Sequence, residues 1–388
     1  MTVGWIDAPA RLAILGGGQL GRFFVRAAQE LGYAVWVLDP DPEAPAGRIA
    51  ERHLCGAYDD EALLAELAAH CAAATTEFEN VPATSLARLA QSMPVRPGAT
   101  ALAVCQDRIE EKSFLARHSL PHAPFFAVRT AEDLERAPES LFPGILKTAR
   151  FGYDGKGQAA VADRQEAQAA FARFGRDCVL EARLALEAEL SVVLARGADG
   201  RIAAFAPGLN VHRNGILDTT FAPAPLPATV LREAGEIAAA LAEALEYVGT
   251  LGVEFFYADG RLYVNEMAPR PHNSGHHTLD AHRVCQFEQQ VRALCGLPLA
   301  VPEAHSPAVM VNLLGEAWFV GETLREPPWH EILSLPGLRL HLYGKREARR
   351  GRKMGHFTVT AATLTEALAV ASEARQRLGL PPLPPLPR

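Results

Sequence analysis

Lys147 and the run Phe151-Gly152-Tyr153-Asp154-Gly155-Lys156-Gly157-Gln158 place three glycines and two lysines around the end of a short apolar stretch. Glycine lets backbone N–H groups approach an anion with no Cβ in the way, and lysine adds a compact charge, so the chemistry implied is phosphate binding under a closing loop. The spacing differs from the G-x-x-x-x-G-K-[ST] phosphate loop, because Lys156 is followed by glycine and no hydroxyl is placed for magnesium. A flexible surface turn is the alternative. Further on, Glu254 and Glu266 stand on apolar, aromatic-rich runs that flank the turn dipeptide Asp259-Gly260, which reads as a hairpin. Carboxylates on such strands need neutralising, and a hard divalent cation shared with substrate phosphates does this, so the pair are candidate magnesium ligands. Counting across a two-residue turn pairs Glu254 with Asn265, so one metal reaches both acids only through a one-residue bulge or a shifted register. That register stays open at this level. Directly downstream, Arg270, His272, Asn273, Ser274 and His276 crowd a loop suited to an anion or substrate. The strongest positive cluster, Arg346, Arg349, Arg350, Arg352 and Lys353 with Gly351 and Gly355, suits a sugar phosphate or a solvated turn.

The elements that must position these residues begin with strand 11–15, the turn Gly16-Gly17-Gly18-Gln19-Leu20-Gly21, a helix through Leu31, and strand 34–38 ending at Asp39. This is the opening of a doubly wound α/β domain, with its crevice at the carboxyl ends of the strands. It also matches G-x-G-x-x-G with an acid about 20 residues on, so a nicotinamide-dependent oxidoreductase is a rival. Glu79, expected at another strand end, is placed to bond a sugar hydroxyl or to cap a helix. Pro94 and Pro97-Gly98 mark a boundary. A helical pattern over 99–118 carries Arg108, a phosphate ligand or a solvated charge. A smaller α/β segment follows, with strands at 125–128, 145–148, 159–161 and 178–181, in which the glycine run is a hairpin-like flap. The stretch 210–217 reads as a polar loop between apolar strands, and 230–245 as a helix. The expected domains are 1–98, 99–298 with a lid at about 123–184, and 299–388, matching about 100–200 residues per domain.

The 388-residue chain is 49% hydrophobic and 21% charged, with a formal net charge of −7. That balance shows no global affinity for nucleic acid. No apolar run approaches the roughly 18 residues of a membrane span, and residues 1–10 lack a basic-then-apolar leader, so no membrane partner and a cytoplasmic address are expected. Six scattered cysteines without a C-x-x-C pair indicate neither a disulfide framework nor a zinc site.

Taken together, Asn265-Glu266-Met267-Ala268-Pro269-Arg270-Pro271-His272-Asn273-Ser274-Gly275-His276, Tyr343-Gly344-Lys345 and Gly351-Arg352-Lys353-Met354-Gly355-His356 are specific. With the glycine-rich flap they resemble the ATP-grasp superfamily, and within it the 5-(carboxyamino)imidazole ribonucleotide synthase family, over nearly the whole chain. Departures are modest: Cys71-Ala72-Ala73-Ala74 where a more apolar strand is usual, Val284-Cys285 where small hydroxyl residues are usual, and His277 in place of an aromatic. The resemblance implies an α/β fold with an N-terminal doubly wound pre-ATP-grasp domain, a two-part α+β ATP-grasp domain and a small C-terminal β-rich domain. It implies ATP- and bicarbonate-dependent carboxylation of aminoimidazole ribonucleotide through carboxyphosphate, with Mg2+, in a homodimer.

The resemblance also implies residue roles. Arg108 and Lys147 hold ATP phosphates under a lid of Phe151, Gly152, Tyr153, Asp154, Gly155, Lys156 and Gly157. The stretch Cys178 to Leu184, with Glu181, Ala182, Arg183 and Leu184, supplies the adenine contacts, ribose meets Glu189, and His212 lies near the nucleotide. Glu254 and Glu266 bind the metal, with Asn265 assisting. Arg270, His272, Asn273 and Lys345 face bicarbonate or carboxyphosphate. Gly17, Gly18, Gln19, Leu20, Glu79, Tyr153, Asp154, Ser274, Lys345, Arg352 and Lys353 meet the ribonucleotide. Rivals are a formate-using ATP-grasp ribonucleotide transferase, a biotin-dependent carboxylase (disfavoured by Arg352-Lys353 and the short chain), the oxidoreductase, and a non-catalytic nucleotide-binding regulator. The oxidoreductase leaves the flap, the acid hairpin and the histidine-rich loop without roles.

Overall fold

The computed structural model describes residues 4–152, 156–384 and 386. Tyr153, Asp154 and Gly155 lie outside the described residues. The chain opens with β1 (Arg11–Leu15), α1 (Gln19–Glu30), β2 (Ala34–Asp39), β3 (Arg52–Cys55), α2 (Glu61–His70) and β4 (Ala73–Thr76). Their strands form a parallel sheet in the order β3-β2-β1-β4. After Arg11, strand β1 is an unbroken apolar run, and Leu12 to Leu15 are at most 2% exposed, as a strand covered on both faces requires. The order reverses between β1 and β4, so the turns after these two strands border one crevice.

Helices α3 (Ala83–Leu89), α4 (Ala99–Cys105) and α5 (Arg108–Arg117) follow. The single helical pattern expected over 99–118 is in fact two helices. Asp107 is extended, with φ −134°, and its carboxylate accepts the Ile109 N–H at 3.0 Å, so it caps α5 as a fresh helix and turns it toward the later strands.

A four-stranded antiparallel sheet comes next, in the segment expected to form the lid and called the lid below, built from β5 (Phe125–Val128), α6 (Ala131–Arg136), β6 (Gly144–Thr148), β7 (Gln158–Val161), α7 (Arg164–Phe174) and β8 (Cys178–Ala182), with strand order β5-β8-β6-β7. Lys147 pairs with Gln158, so the glycine run joins two adjacent strands, as the flap reading expects. Leu134, Leu146 and Leu180 give the lid its own core.

The remaining elements are β9 (Ala188–Arg196), β10 (Ile202–Ala204), β11 (Gly208–Arg213), β12 (Ile216–Ala222), α8 (Ala228–Ala244), β13 (Gly249–Ala258), β14 (Arg261–Ala268), α9 (Thr278–Ala281), α10 (Gln286–Cys295), β15 (Ala308–Leu314), β16 (Phe319–Val320), β17 (Thr323–Leu324), β18 (Leu338–Leu342), β19 (Lys353–Thr360) and α11 (Leu364–Arg377). Among the described residues their strands build a nine-stranded sheet, β14-β13-β9-β11-β12-β15-β19-β18 with β10 on β9, while β16 and β17 pair only with each other. The third region thus extends the sheet of the second, and Leu190, Val253, Val309 and Phe357 share one core. The polar stretch 210–217 is a hairpin rather than a loop. Asn210 and His212 stand on β11, while Asn214 and Gly215 take the left-handed conformations of its turn, at φ +53° and +76°. No helix of the described residues is long and apolar enough to cross a membrane.

Candidate active site

The acid hairpin sets the site. Asp259 and Gly260 adopt φ +50° and +69°, closing β13 onto β14 in a tight turn. From the turn the register runs Phe255 opposite Val264, then shifts so that Glu254 lies opposite Glu266. Asn265 is the extra residue. This one-residue bulge resolves the open register and puts both carboxylates side by side.

Helix α5 holds the bulge in place. Lys112, 1% exposed, donates from Nζ to the carbonyls of Val264 at 3.2 Å and Asn265 at 2.8 Å. Glu111 accepts the Met267 N–H at 2.6 Å, and Arg108 donates to Glu266 Oε2 at 3.0 Å. Arg108, Glu111 and Lys112 stand at i, i+3 and i+4, hence on one helical face. Glu111 and Lys112 were absent from the expected site. The signal that would have found them is that same spacing of charges on a helix otherwise anchored by Ile109, Phe114 and Leu115.

A second buried carboxylate organises the lysines. Glu181 stands 3.1 Å from Lys147 Nζ and 3.4 Å from Lys112 Nζ. Burial opposes its charge, but Lys112, Lys147 and Arg108 pull its pKa down to about 2. Lys147 also donates to Asn265 Oδ1 at 3.4 Å. Burial lifts the pKa of Glu254, and Glu266 beside it adds to the rise. Burial likewise works against Glu266, yet Arg108, Lys147 and Arg270 hold it below the ordinary carboxylate range. One acid is thus stabilised by cations while at its neighbour burial and repulsion outweigh the pull of His212 and Lys353, an electrostatic condition that a bound divalent cation relieves.

The loop after β14 faces the acids. His272 Nε2 lies 3.4 Å from Glu254 Oε1, and Nδ1 contacts Ser274 Oγ at 2.8 Å while accepting the Ser274 N–H at 3.4 Å. Burial, with Arg270 nearby, holds His272 well below the usual histidine pKa. A neutral ring that accepts at Nδ1 carries its proton on Nε2, toward Glu254. Gln286 fixes the backbone, accepting the His272 N–H at 2.8 Å and donating to the His272 carbonyl at 2.8 Å. Arg270 donates from Nε to Glu79 at 2.8 Å, so Glu79 bears an ion pair at the strand end where a sugar-hydroxyl contact was expected. Across the sheet, His212 Nδ1 lies 3.0 Å from Glu189. Burial disfavours its charge, but Glu189, Glu254 and Glu266 raise its pKa to about 9.

These groups open on one cavity of about 1470 Å³ that draws its lining from all three regions of the chain. Gly18, Gln19, Leu20, Glu79, Arg108, Lys147, Phe151, Gly152, Lys156, Glu181, Ala182, Arg183, Leu184, Glu189, His212, Glu254, Asn265, Glu266, Arg270, His272, Asn273 and Lys353 all line it. Five expected site residues do not. Gly17 donates to Asp39 at 2.7 Å, Ser274 is buried behind His272, and Gly157 lies at the inner end of the flap, where its carbonyl accepts the Thr148 N–H at 2.7 Å. Arg352 precedes β19 and turns to the Glu347 carbonyl at 2.9 Å, and Lys345 donates to the Lys353 carbonyl at 2.8 Å beside a smaller recess. Tyr153, Asp154 and Gly155 lie outside the described residues.

The dinucleotide fingerprint has no room for its ligand. Glu77 places its carboxylate at the start of α1, accepting the N–H groups of Gly18 and of Leu20, the latter at 3.1 Å. A pyrophosphate needs those same donors, and a buried carboxylate repels it. Asp39, the acid a nicotinamide ribose would use, is taken by Gly17 and by the Tyr58 hydroxyl at 2.8 Å.

Three family models match in sequence: a ribonucleotide synthetase preATP-grasp domain over residues 10–106, an ATP-grasp domain over 113–287, and a phosphoribosylaminoimidazole carboxylase C-terminal domain over 308–370. N5-carboxyaminoimidazole ribonucleotide synthase of Brucella melitensis is 45% identical over 352 residues, which are 89% of this chain and 95% of the relative. The ADP complex of an N5-carboxyaminoimidazole ribonucleotide synthetase superposes with a TM-score of 0.89 at 37% identity, covering 98% of this chain and 99% of that one. The Aspergillus clavatus N5-carboxyaminoimidazole synthase in complex with ADP and 5-aminoimidazole ribonucleotide gives 0.86 at 29% identity, covering 96% and 99%. The chain belongs to the N5-carboxyaminoimidazole ribonucleotide synthase family of ATP-grasp enzymes.

Proposed function

We infer that the protein is an ATP-dependent carbon–nitrogen ligase of purine biosynthesis. It carboxylates the exocyclic amine of 5-aminoimidazole ribonucleotide with bicarbonate, giving N5-carboxyaminoimidazole ribonucleotide, ADP and phosphate. The observation that carries this reading is the Glu254–Glu266 pair, aligned by its bulge and faced across one cavity by Lys147 and by the Arg270–His272 loop. Named relatives that hold ADP and the ribonucleotide support it.

The adjacent carboxylates fit magnesium, a hard cation held by one or two carboxylates and by substrate phosphates. Glu254 and Glu266 would hold it, with the Asn265 side chain beside them. When bound, it neutralises charge on the β- and γ-phosphates. Bicarbonate oxygen attacks the γ-phosphorus, and the resulting carboxyphosphate delivers carbon dioxide to the amine. The chain's contribution is position and charge. Lys147 and Arg108 hold phosphate oxygens, Arg108 leaving Glu266 as the nucleotide arrives. Arg270 steadies the bicarbonate-derived anion, and neutral His272 donates to it from Nε2. Lys353 meets the phosphate of the ribonucleotide, and Gly18 to Leu20 border its sugar. A homodimer and a cytoplasmic address belong to the same reading, and sedimentation as a monomer would remove the first.

The test is ADP formation in bicarbonate buffer with and without aminoimidazole ribonucleotide. Stimulation by the ribonucleotide is expected. ADP release indifferent to both co-substrates, or formate replacing bicarbonate, would overturn the assignment.

A further inference from the structure

Outside the cavity lining, Asp280 of α9, His341 of β18 and His356 of β19 converge. A carboxylate oxygen and one ring nitrogen from each histidine all lie within 4.8 Å of one another. His341 and His356 are directly opposed in the β18–β19 ladder, and their rings stack with centroids 4.6 Å apart and planes 20° from parallel. His341 Nε2 lies 2.8 Å from Asp280 Oδ2. His356 is 0% exposed, and its Nδ1 is engaged by the Tyr343 hydroxyl at 2.9 Å.

Its Nε2 is buried without a hydrogen-bond partner. So is Nε2 of His276, also 0% exposed, whose ring centroid is 4.8 Å from that of His356. Orphaned polar atoms of this kind are rare in folded proteins, and each is costly unless something completes it. The walls are Phe23, Phe287 and Tyr343, and the Tyr343 hydroxyl, the polar group among them, is engaged with His356 Nδ1 and not with either Nε2.

We propose that Asp280, His341 and His356 bind one divalent transition-metal ion of the zinc class, separate from the nucleotide's cation, with water completing the coordination. The donor set decides the class. Two imidazoles and one carboxylate suit zinc, cobalt or nickel, whereas the all-oxygen Glu254–Glu266 pair suits magnesium. Bonds of about 2.0–2.1 Å put tetrahedral ligands about 3.3 Å apart, so the widest separation here closes through side-chain adjustment of about 1.5 Å together with a turn of one imidazole out of the stack, since each in-plane lone pair must face the ion. Tyr343 orients His356 from behind, in the way ligating histidines are held by the groups bonded to their far nitrogen. Burial holds His356 and His276 well below the usual histidine pKa, leaving neutral rings with a lone pair to give. Two cations oppose the site: Arg339, 3.9 Å from Asp280 with its side chain 72% exposed, and Lys353, whose charge acts on His276.

The consequence is mechanical. Asp280 lies on the helix that continues directly from the turn Asn273–His277, while His341 and His356 lie on the last two strands of the sheet. A metal bonded to all three fastens the loop bearing Arg270 and His272 to the C-terminal strands.

The experiment uses the full chain, stripped with chelator and free of nucleotide, titrated with Co2+. One equivalent is expected to bind with visible d–d absorption, displaced by Zn2+ and unaffected by excess Mg2+. Asp280→Asn and His341→Gln are each expected to weaken cobalt binding at least about tenfold. The wild-type titration stands even where a variant folds poorly. Absence of visible absorption in the wild type, displacement by Mg2+, or undiminished affinity in both folded variants would overturn the site.

Discussion

At the scale of single residues, the chemistry turns on Asn265. Inserting it between Val264 and Glu266 moves the second acid opposite Glu254, and without that bulge the two carboxylates leave opposite faces of the strand pair. Glu266 pairs with Arg108 at 3.0 Å here, and in the proposed nucleotide complex it would serve the metal instead. Glu266→Gln removes the charge both require while keeping the shape. Turnover should fall by about two to three orders of magnitude, the usual scale for removing one preorganised electrostatic contact. Steady-state rates across a magnesium titration check this, and a wild-type rate at saturating magnesium would remove Glu266 from the metal's ligands. Both acids, and the need for either a bulge or a shifted register to align them, were legible in the sequence. What supplies the bulge was not, because Lys112 reaches Asn265 from 153 positions away, and no local pattern reports such a contact. The same limit hid Glu77, whose carboxylate closes the glycine turn from 59 positions on and turns a dinucleotide fingerprint into something else.

At the scale of elements, α5 links the sheet to the lid. Its Lys112 and the lid's Lys147 converge on Glu181 of β8, whose side chain is 3% exposed. Glu181→Gln leaves two buried ammonium groups facing a neutral amide, and breaking a buried pair in this way destabilises by about 3–5 kcal/mol. The pH dependence has a definite sign. The folded pKa, about 2, lies below the ordinary value of 4.5. The carboxylate's contribution is therefore complete above pH 4.5 and lost as pH falls toward 2. Urea midpoints should drop more steeply with acid in the wild type than in the variant, and parallel curves would show that Glu181 is not the group responsible. Glu181 was expected to meet adenine. Its pairing with two lysines depends on how the lid sits against α5, which strand and helix patterns within either element do not encode. The break at Asp107 was equally hard to see, since an acid followed by more charged residues reads as continuous helix until its capping bonds are known.

At the scale of the molecule, the chain read as three domains but its largest sheet ignores one of the expected boundaries. Strand β15 pairs with β12 through Thr219–Val311, Thr220–Met310, Phe221–Val309 and Ala222–Ala308, and Phe221, Val309 and Phe357 belong to one core. The lid differs, because its strands hydrogen-bond only among themselves among the described residues and its core is its own. Cooperative units follow hydrogen-bonded sheets and shared cores more closely than they follow sequence segments. Amides of Thr219–Phe221 and of Val309–Val311 should therefore exchange with deuterium as one unit, at the slowest rates in the chain, while those of Ile145–Thr148 exchange through cheaper openings. Nucleotide with magnesium should slow the lid amides selectively, since in the proposed complex it would bridge Lys147 to the Glu254–Glu266 pair and tie the lid's opening to the sheet's. Hydrogen-exchange mass spectrometry with and without nucleotide reads all three classes. If the β15 amides exchanged well ahead of those in β12, the last region would be an independent domain resting on the sheet; equal rates make it part of the frame on which Lys353 is carried into the cavity.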